Sequence, residues 1–549
     1  MLWLIFSAAI GQEPPTAKQL FTQQRWPELV QLIASLPSSH RTAELDYEYG
    51  LALANLGRWQ EAQAALLSGQ HLAPREKRFP IELAGVAFKQ GKHREAIGYL
   101  HRALRLDPKD AYANDFLASL YFLQGNTEAA LKYWNRNGKP QIDGVSSQPE
   151  PQLEPVLLDH AFAFSPAGTL RLDEFRATTA RLSLLNVFPS YRIDLVARES
   201  GQFDAVFRNV ERNGFGSSRL EALLNTFRGL PFQEVDPEYY NLQGKAINIV
   251  GLARWDPDKR RLLASLSGPL FSAPAWRYGI RLDLRNENWD IRTGFTGPAP
   301  VLAALNLRRE AIGAEIAHIV GWRWRWSLGL ELSHRDERNA SPGTVLSPEL
   351  LLPGYQLQQS ASIAYQLLRS SEHRVQITTT VDADAARLWA TPQRAFARVQ
   401  PAFDVHWFPQ AKGDDYETRW RLRGGETLGQ VPFDELLMLG LERDNDLWLR
   451  AHIGTRDGRK GSAPLGRDYF LANLETDKNL YSNGLFTLKL GPFFDIGRIG
   501  HAVSTPASQK WLFDTGSQLK IRVLGVGAAF TYGKDLRTGN NAFFATVGR

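Results

Sequence analysis

Trp322-Arg323-Trp324-Arg325-Trp326 alternates aromatic and cationic residues without a break, and the alternation continues through Leu332. A period of two sends successive side chains to opposite faces of a β-strand, so this strand has one apolar face and one polar face. A transmembrane β-barrel combines two such faces, because lipid surrounds its wall and a polar lumen lies inside. The stretch therefore predicts a strand of a membrane-spanning barrel.

Composition restricts how the chain can cross a membrane. The 549 residues include 45 glycines and 30 prolines, and hydrophobic residues make up 43%. Beyond the first dozen residues, no uninterrupted apolar run is long enough for a membrane-spanning helix, so any spans must be strands. The chain has no cysteine, which excludes disulfides, thiolate nucleophiles and cysteine-ligated metals. The net charge of +6 indicates a dispersed surface excess, or attraction to anionic headgroups.

The first twelve residues predict an export signal. An apolar core over residues 2–10 precedes Gly11 and the polar pair Gln12-Glu13. Such a segment is typical of a signal peptide, although the usual basic start is missing. The alternative is a frayed apolar terminus.

Residues 17–136 carry a repeat of 34 residues. It recurs in the glycines Gly57, Gly91 and Gly125 and in the alanines Ala62, Ala96 and Ala130. Small residues where two helices cross, with glycine at the turn between them, are typical of tetratricopeptide repeats. Such repeats stack into a superhelix with a concave face. We expect this face to bind a partner or client protein, the alternative being a spacer.

Two segments separate the repeats from the predicted barrel. Residues 137–156 are rich in proline, serine and glutamine and predict an extended linker. In residues 157–240 we expect a strand at 157–164, a helix at 172–188 and a hairpin formed by 191–197 and 203–211. This order resembles a POTRA domain, the periplasmic module that precedes the barrel in the BamA/TamA-like superfamily. A generic α+β insert is the alternative.

Residues 241–549 predict the barrel, with fourteen to sixteen strands. One segment places Trp276, Tyr278 and Ile280 on one face and Arg277 and Arg281 on the other, and further segments alternate in the same way. The alternative is a soluble β-sandwich. The predicted fold class is thus a helical tetratricopeptide array, a small POTRA-like module and an antiparallel transmembrane barrel.

The last quarter of the chain resembles the BamA/TamA-like outer-membrane insertase and translocase superfamily, of the bacterial surface antigen type. The resemblance lies in the segments 432–440 and 449–452 and in Phe493-Phe494-Asp495-Ile496-Gly497. In that family a long loop, here 441–466, folds back into the lumen, and its arginine meets an acidic strand. The resemblance implies that Arg450 pairs with Asp495 and that Phe494 and Gly497 belong to the strand motif. Ala451 and His452 stand where the family has glycine and an aromatic residue.

No motif supports an enzyme, a cofactor or a metal site. Asp514-Thr515-Gly516 matches an aspartic-protease string, but that chemistry needs a second aspartate, and no second copy occurs. Residues 442–446 contain three carboxylates without calcium-loop spacing, and we interpret them as an exposed polar loop. An ordinary lumen salt bridge in another kind of barrel is the alternative for Arg450 and Asp495.

These features predict a bacterial outer-membrane barrel that inserts or translocates protein substrates. Its partners would be outer-membrane lipids and a periplasmic protein bound by the repeats, with no nucleic acid. Tetratricopeptide arrays joined to a barrel also resemble exopolysaccharide export porins and the barrels that deliver surface lipoproteins. A third option is a structural scaffold or receptor.

Overall fold

The computed structural model describes residues 16–292, 300–341, 347–390, 393–410, 413–483, 485–503, 510–524 and 526–548. The predicted export signal, residues 1–12, lies outside them. The chain divides into two compact units, Met1–Pro140 and Gln141–Arg549. Within the described residues, no helix combines the length and the apolar character needed to cross a membrane.

The first unit is an array of helix pairs with a shared apolar core, which includes Leu53, Leu66 and Leu83. Consecutive helices pack against each other, as the repeat pattern predicts. The helices described in this unit are α1 (Ala17–Thr22), α2 (Trp26–Ala34), α3 (Ala43–Asn55), α4 (Trp59–Leu72), α5 (Arg78–Lys89), α6 (His93–Leu106), α7 (Ala111–Leu123) and α8 (Thr127–Trp134).

The repeat glycines end the first helix of each pair. Gly57, Gly91 and Gly125 have φ angles of 75°, 74° and 76°, in the left-handed region that glycine adopts at little cost. The repeat alanines lie in the second helices, where Ala62, Ala96 and Ala130 are fully buried. Close helix contact therefore depends on these small side chains.

The second unit begins with a three-stranded sheet and two helices. The elements are β1 (Ile142–Gln148), α9 (Pro155–Ala161), α10 (Leu172–Leu185), β2 (Ser190–Ala197) and β3 (Phe203–Val210). β2 and β3 form the predicted antiparallel hairpin, and β1 pairs with β3 in parallel, so the sheet order is β1-β3-β2. Ile142, Leu182 and Phe207 form part of the buried core beneath the sheet.

Two sequence predictions are wrong in this region. The predicted linker, residues 137–156, contains β1, and the predicted strand at 157–164 is largely the helix α9. β1 pairs with a strand about 60 residues later in the chain, and local composition carries no sign of so distant a partner. A short apolar run such as 157–164 does not distinguish strand from helix, whereas Pro155 favours the first turn of a helix.

The rest of the second unit is a sheet that closes into a barrel. Among the described residues, fourteen strands of this sheet have eight or more residues, and neighbouring ones pair antiparallel, which agrees with the predicted fold class. Before the long strands come α11 (Arg219–Phe227), β4 (Glu234–Val235) and β5 (Glu238–Leu242). The strands up to the longest loop are β6 (Ile247–Arg254), β7 (Lys259–Leu270), β8 (Ala273–Arg292), β9 (Val301–Val320), β10 (Trp324–Arg338), β11 (Gly354–Ser370), β12 (Val375–Trp389), β13 (Arg394–Trp407) and β14 (Tyr416–Gly429).

The longest loop lies between β14 and the next wall strand. It contains the two-residue strands β15 (Leu437–Met438), β16 (Thr455–Arg456), β17 (Arg459–Lys460) and β18 (Leu465–Gly466). The wall then continues with β19 (Asp468–Ser482), β20 (Phe486–Gly500), β21 (Leu512–Val523), β22 (Val526–Asp535) and β23 (Asn541–Gly548).

Strand β10 separates apolar from polar side chains as predicted. Leu328 and Leu330 are 54% and 50% exposed on the outer face, whereas Arg335 on the opposite face is only 1% exposed. Trp322 and Arg323, however, lie in the turn before β10 and not in the strand. The turn starts at Gly321, which has a φ of 61°.

Trp322 instead contacts the small module. Its indole Nε1 donates a hydrogen bond of 3.0 Å to Asp173 Oδ1, and the Arg176 guanidinium lies 4.5 Å from the centre of its ring. Both partners belong to α10. The first tryptophan of the alternating stretch therefore connects the barrel to the module.

The positive φ angles of the turn glycines predict how substitutions change the stability of the helical array. Gly91→Ala should destabilise it by about 1 kcal/mol, because alanine is strained at positive φ. Gly85→Ala is the matched control: Gly85 lies inside α5, and a Cβ there would meet no atom within 4 Å. We expect Gly85→Ala to stabilise the array by about 0.5–1 kcal/mol. Thermal unfolding of the full chain, followed by far-ultraviolet circular dichroism, measures both, and shifts in the same direction would contradict the argument.

Candidate functional site: the lumen loop

The segment between β14 and β19, residues 430–467, is here called the lumen loop. Its residues Leu439, Leu449 and Ala451 are fully buried. Lys460 of β17 pairs in parallel with Trp289 of β8, on a distant part of the wall. The loop therefore crosses the interior of the barrel.

Arg450 of the lumen loop binds Asp495 of β20 through three hydrogen bonds. Its Nη2 and Nε donate to the two carboxylate oxygens at 2.6 and 2.8 Å, and its backbone N donates to Oδ2 at 3.1 Å. Asp495 is fully buried, and Arg450 is 3% exposed. The structure thus places the two residues named from the family resemblance in direct contact. Their hydrogen bonding is bidentate, which strengthens a charged pair.

Arg450 has two further acceptors on the neighbouring strands. Its Nη1 donates to Glu475 Oε2 of β19 at 2.8 Å and to Gln518 Oε1 of β21 at 3.0 Å. The guanidinium carbon lies 4.0 Å from the centre of the Phe493 ring. Three adjacent strands therefore converge on one guanidinium.

The next two residues of the loop bind Asp514 of β21. The backbone N of Ala451 donates to Asp514 Oδ2 at 2.6 Å, and His452 Nδ1 lies 3.0 Å from the same oxygen. Both side chains of this pair are buried. The aspartate of the protease-like string thus fixes the loop.

Two glycines of the wall allow the loop to approach. A Cβ added to Gly497 would lie 3.1 Å from Leu449 Cδ1, and one added to Gly533 would lie 2.5 Å from the backbone O of Arg450. Phe494, named with Gly497 from the resemblance, lies instead on the outer face and is 36% exposed. Strand alternation places Phe493, and not Phe494, on the face that contacts the loop.

A second cluster surrounds Asp444 of the lumen loop. Its carboxylate receives hydrogen bonds from Arg254 Nη1 at 2.9 Å, Arg261 Nη1 at 2.7 Å and Lys460 Nζ at 3.0 Å. The neighbouring Glu442 is 1% exposed. The interpretation of 442–446 as an exposed polar loop is therefore wrong for these two carboxylates, because cations of β6 and β7 meet them inside the barrel.

A third group of ion pairs holds the start of the loop. Asp434 lies 2.8 Å from Arg335 Nε of β10 and 3.3 Å from Arg309 Nε of β9. Glu435 lies 3.6 Å from Arg398 Nη1 of β13. The loop is thus attached to strands on several sides of the lumen.

The arrangement fixes a loop and offers no evident catalytic chemistry. The carboxylates of Asp434, Glu435, Asp444, Glu475 and Asp495 each lie beside an arginine or lysine, and the described residues contain no group of three or more histidine, aspartate or glutamate side chains arranged to hold a metal. Sequence reasoning missed Glu475, Gln518 and the role of Asp444. For Glu475 and Gln518, the only sequence signal is a polar side chain at an inward position of a strand.

Comparisons with known proteins cover both parts of the chain. A tetratricopeptide repeat family model matches residues 81–138. Similar solved structures include BamA from Haemophilus ducreyi lacking POTRA domains 1–3, at 12% identity and a TM-score of 0.42, covering 74% of this chain and 84% of that one. CdiB from Escherichia coli matches at 14% identity and a TM-score of 0.45, covering 75% of each chain. MamA matches at 20% identity and a TM-score of 0.21, covering 22% of this chain and 71% of that one. A search of curated protein sequences gave no significant match.

Gly533 tests whether the loop depends on close contact with the wall. Gly533→Val should displace the loop at Arg450, because no side chain fits between the two backbones. Limited trypsin digestion of the barrel in detergent should then cleave within residues 430–467 faster than in the wild type.

Gly279→Val is the matched control for this experiment. Gly279 lies in β8, and a Cβ there would meet no atom within 4 Å. We expect its cleavage pattern to equal that of the wild type. Equal protection of the loop in the Gly533 variant would show that the loop does not depend on this contact.

Proposed function

We propose that this protein is a bacterial outer-membrane barrel that inserts or translocates protein substrates, with its helical array in the periplasm. The observation that carries the proposal is the lumen loop, which ion pairs hold inside the barrel. A permanently open porin needs a continuous water path, whereas this interior contains a folded segment with its own charged contacts. A barrel of this kind is suited to regulated passage of a protein substrate.

The wall supports a membrane location. Large apolar side chains are exposed along the outer face of strand after strand, for example Leu328 on β10, Val381 on β12 and Leu490 on β20. A contiguous exposed apolar surface of this kind would cause aggregation in water, whereas lipid accommodates it. The buried charges lie on the opposite face of the same strands.

The small module supports a protein substrate. Its element order is strand-helix-helix-strand-strand, with β1 as the first strand in place of the one predicted at 157–164 and α9 as a second helix. This order fits a POTRA-like module on the periplasmic side of the barrel. The helical array then supplies a docking surface for a client or a partner protein.

Asp495→Lys tests the proposal. The substitution leaves Arg450 facing a like charge in a buried site, and breaking a buried ion pair costs about 3–5 kcal/mol. We expect the variant to lose the ability to promote insertion of an unfolded barrel protein into liposomes. The loop should also leave the lumen, so that planar bilayers show a larger current than with the wild type.

Asp446→Asn is the control on the same loop. The Asp446 side chain is 83% exposed, and asparagine keeps an oxygen that can accept the hydrogen bond from Arg423 Nη1, while Arg423 Nη2 keeps its bonds to the backbone O of residue 446 and to Asn473. This variant should keep wild-type insertion and current. Wild-type stability and activity in Asp495→Lys would contradict the proposal, and a large steady current through the wild type would favour an exopolysaccharide export porin.

A further inference from the structure

The first helices of the repeats share a face that carries carboxylates and tyrosines. We call it the A-helix face and define it by Glu44, Tyr47, Glu48, Arg78, Glu82 and Tyr112, which lie on α3, α5 and α7. Glu44, Arg78 and Tyr112 are spaced by 34 residues, as are Glu48 and Glu82. Equivalent positions in stacked repeats form rows across neighbouring helices.

Direct contacts connect the residues of this face. Arg78 Nη2 donates to Glu44 Oε2 at 2.9 Å, and the Arg78 guanidinium lies 4.6 Å from the centre of the Tyr47 ring. The Tyr47 hydroxyl donates to Glu82 Oε1 at 3.3 Å. The face is therefore continuous from α3 to α5.

Two carboxylates on this face form no ion pair with a described residue. Arg78 is paired with Glu44 and Glu76, and no described residue forms an ion pair with Glu48 or Glu82. Glu48 is only 7% exposed and receives no hydrogen bond from the described residues. A carboxylate removed from water without a partner is unfavourable, so a cation that reached it would be bound favourably.

The pKa values of these groups agree with this geometry. Burial raises the pKa of Glu48, with Glu44 adding to the rise and Lys18 opposing it. Burial also raises the pKa of Glu82, against the hydrogen bond from Tyr47. Partial burial raises the pKa of the Tyr112 hydroxyl, the Glu82 carboxylate adds to the rise, and the residue as a whole is 65% exposed. An exposed tyrosine ring beside a carboxylate is a favourable site for a lysine or arginine side chain.

We propose that the A-helix face binds an extended, basic protein segment, whose lysine or arginine side chains pair with Glu48 and Glu82 and pack against Tyr47 and Tyr112. This inference rests on the proposed function and specifies its partner: a cationic stretch of a client or partner protein. An acidic or purely apolar segment would leave both carboxylates without a cation.

The test uses the full chain in detergent and a short fluorescent peptide of alternating lysine and serine. Fluorescence anisotropy should show salt-sensitive binding, because part of the affinity is electrostatic. The double variant Glu48→Gln/Glu82→Gln should bind at least about tenfold more weakly. Its helical array should unfold at the same or a higher temperature, because a neutral amide is cheaper to bury than an unpaired carboxylate.

Two controls make the result decisive. Glu61→Gln removes an exposed carboxylate on α4, outside the A-helix face, and should bind the peptide like the wild type. A matched peptide of alternating glutamate and serine should not bind. Equal affinity of the double variant for the lysine peptide, or binding of the glutamate peptide by the wild type, would overturn the inference.

The proposed function can fail or hold independently of this result. The double variant leaves the lumen loop unchanged, so its bilayer current reports only on the barrel. Loss of peptide binding with a wild-type current would support the inference, whatever substrate the barrel handles. No peptide binding by the wild type would reject the inference and leave the closed barrel unaffected.

Discussion

The arrangement of the lumen depends on the burial of one guanidinium. Taking a charged group out of water costs several kcal/mol, and arginine carries five donors that all need acceptors. The Arg450 guanidinium makes four hydrogen bonds, to Asp495, Glu475 and Gln518, on three successive strands. These acceptors converge only if β19, β20 and β21 keep their register. The loop and the wall therefore stabilise each other. The strands position the acceptors, and the loop supplies the positive charge that compensates the buried carboxylates.

The main features of the fold could be predicted from the sequence because they repeat. The alternation of apolar and polar residues predicted the barrel strands, and the spacing of Gly57, Gly91 and Gly125 predicted the helical array. Both patterns follow from local backbone geometry. The pairing of Arg450 with Asp495 was predicted from the resemblance to a family. The exception, Trp322, shows the limit of periodicity: the alternation ran through a turn that starts at Gly321, and only the contact with α10 explains the tryptophan there.

The rest of the site could not be predicted, because its partners are far apart in sequence. Asp444 and Arg254 are 190 residues apart, and nothing near either residue indicates the other. A run of acidic residues in a loop is usually solvated, so burial of Asp444 follows only from the path of the loop through the barrel. Strand β1 was missed for the same reason. Its pairing with β3 is long-range, whereas its local sequence is that of a linker.

Two attachment points of the lumen loop, Asp444 and Arg450, are held with unequal strength. At Asp444, the wall cations keep other partners: Arg254 pairs with Glu234 at 2.5 Å and Arg261 with Asp283 at 2.8 Å. Withdrawal of Asp444 therefore leaves neither cation without a carboxylate. At Arg450, the partner Asp495 has no other described cation, so withdrawal of the loop there leaves a fully buried carboxylate unpaired. Because an uncompensated buried charge is the larger cost, the loop detaches more easily at Asp444, and Arg450 acts as its fixed point.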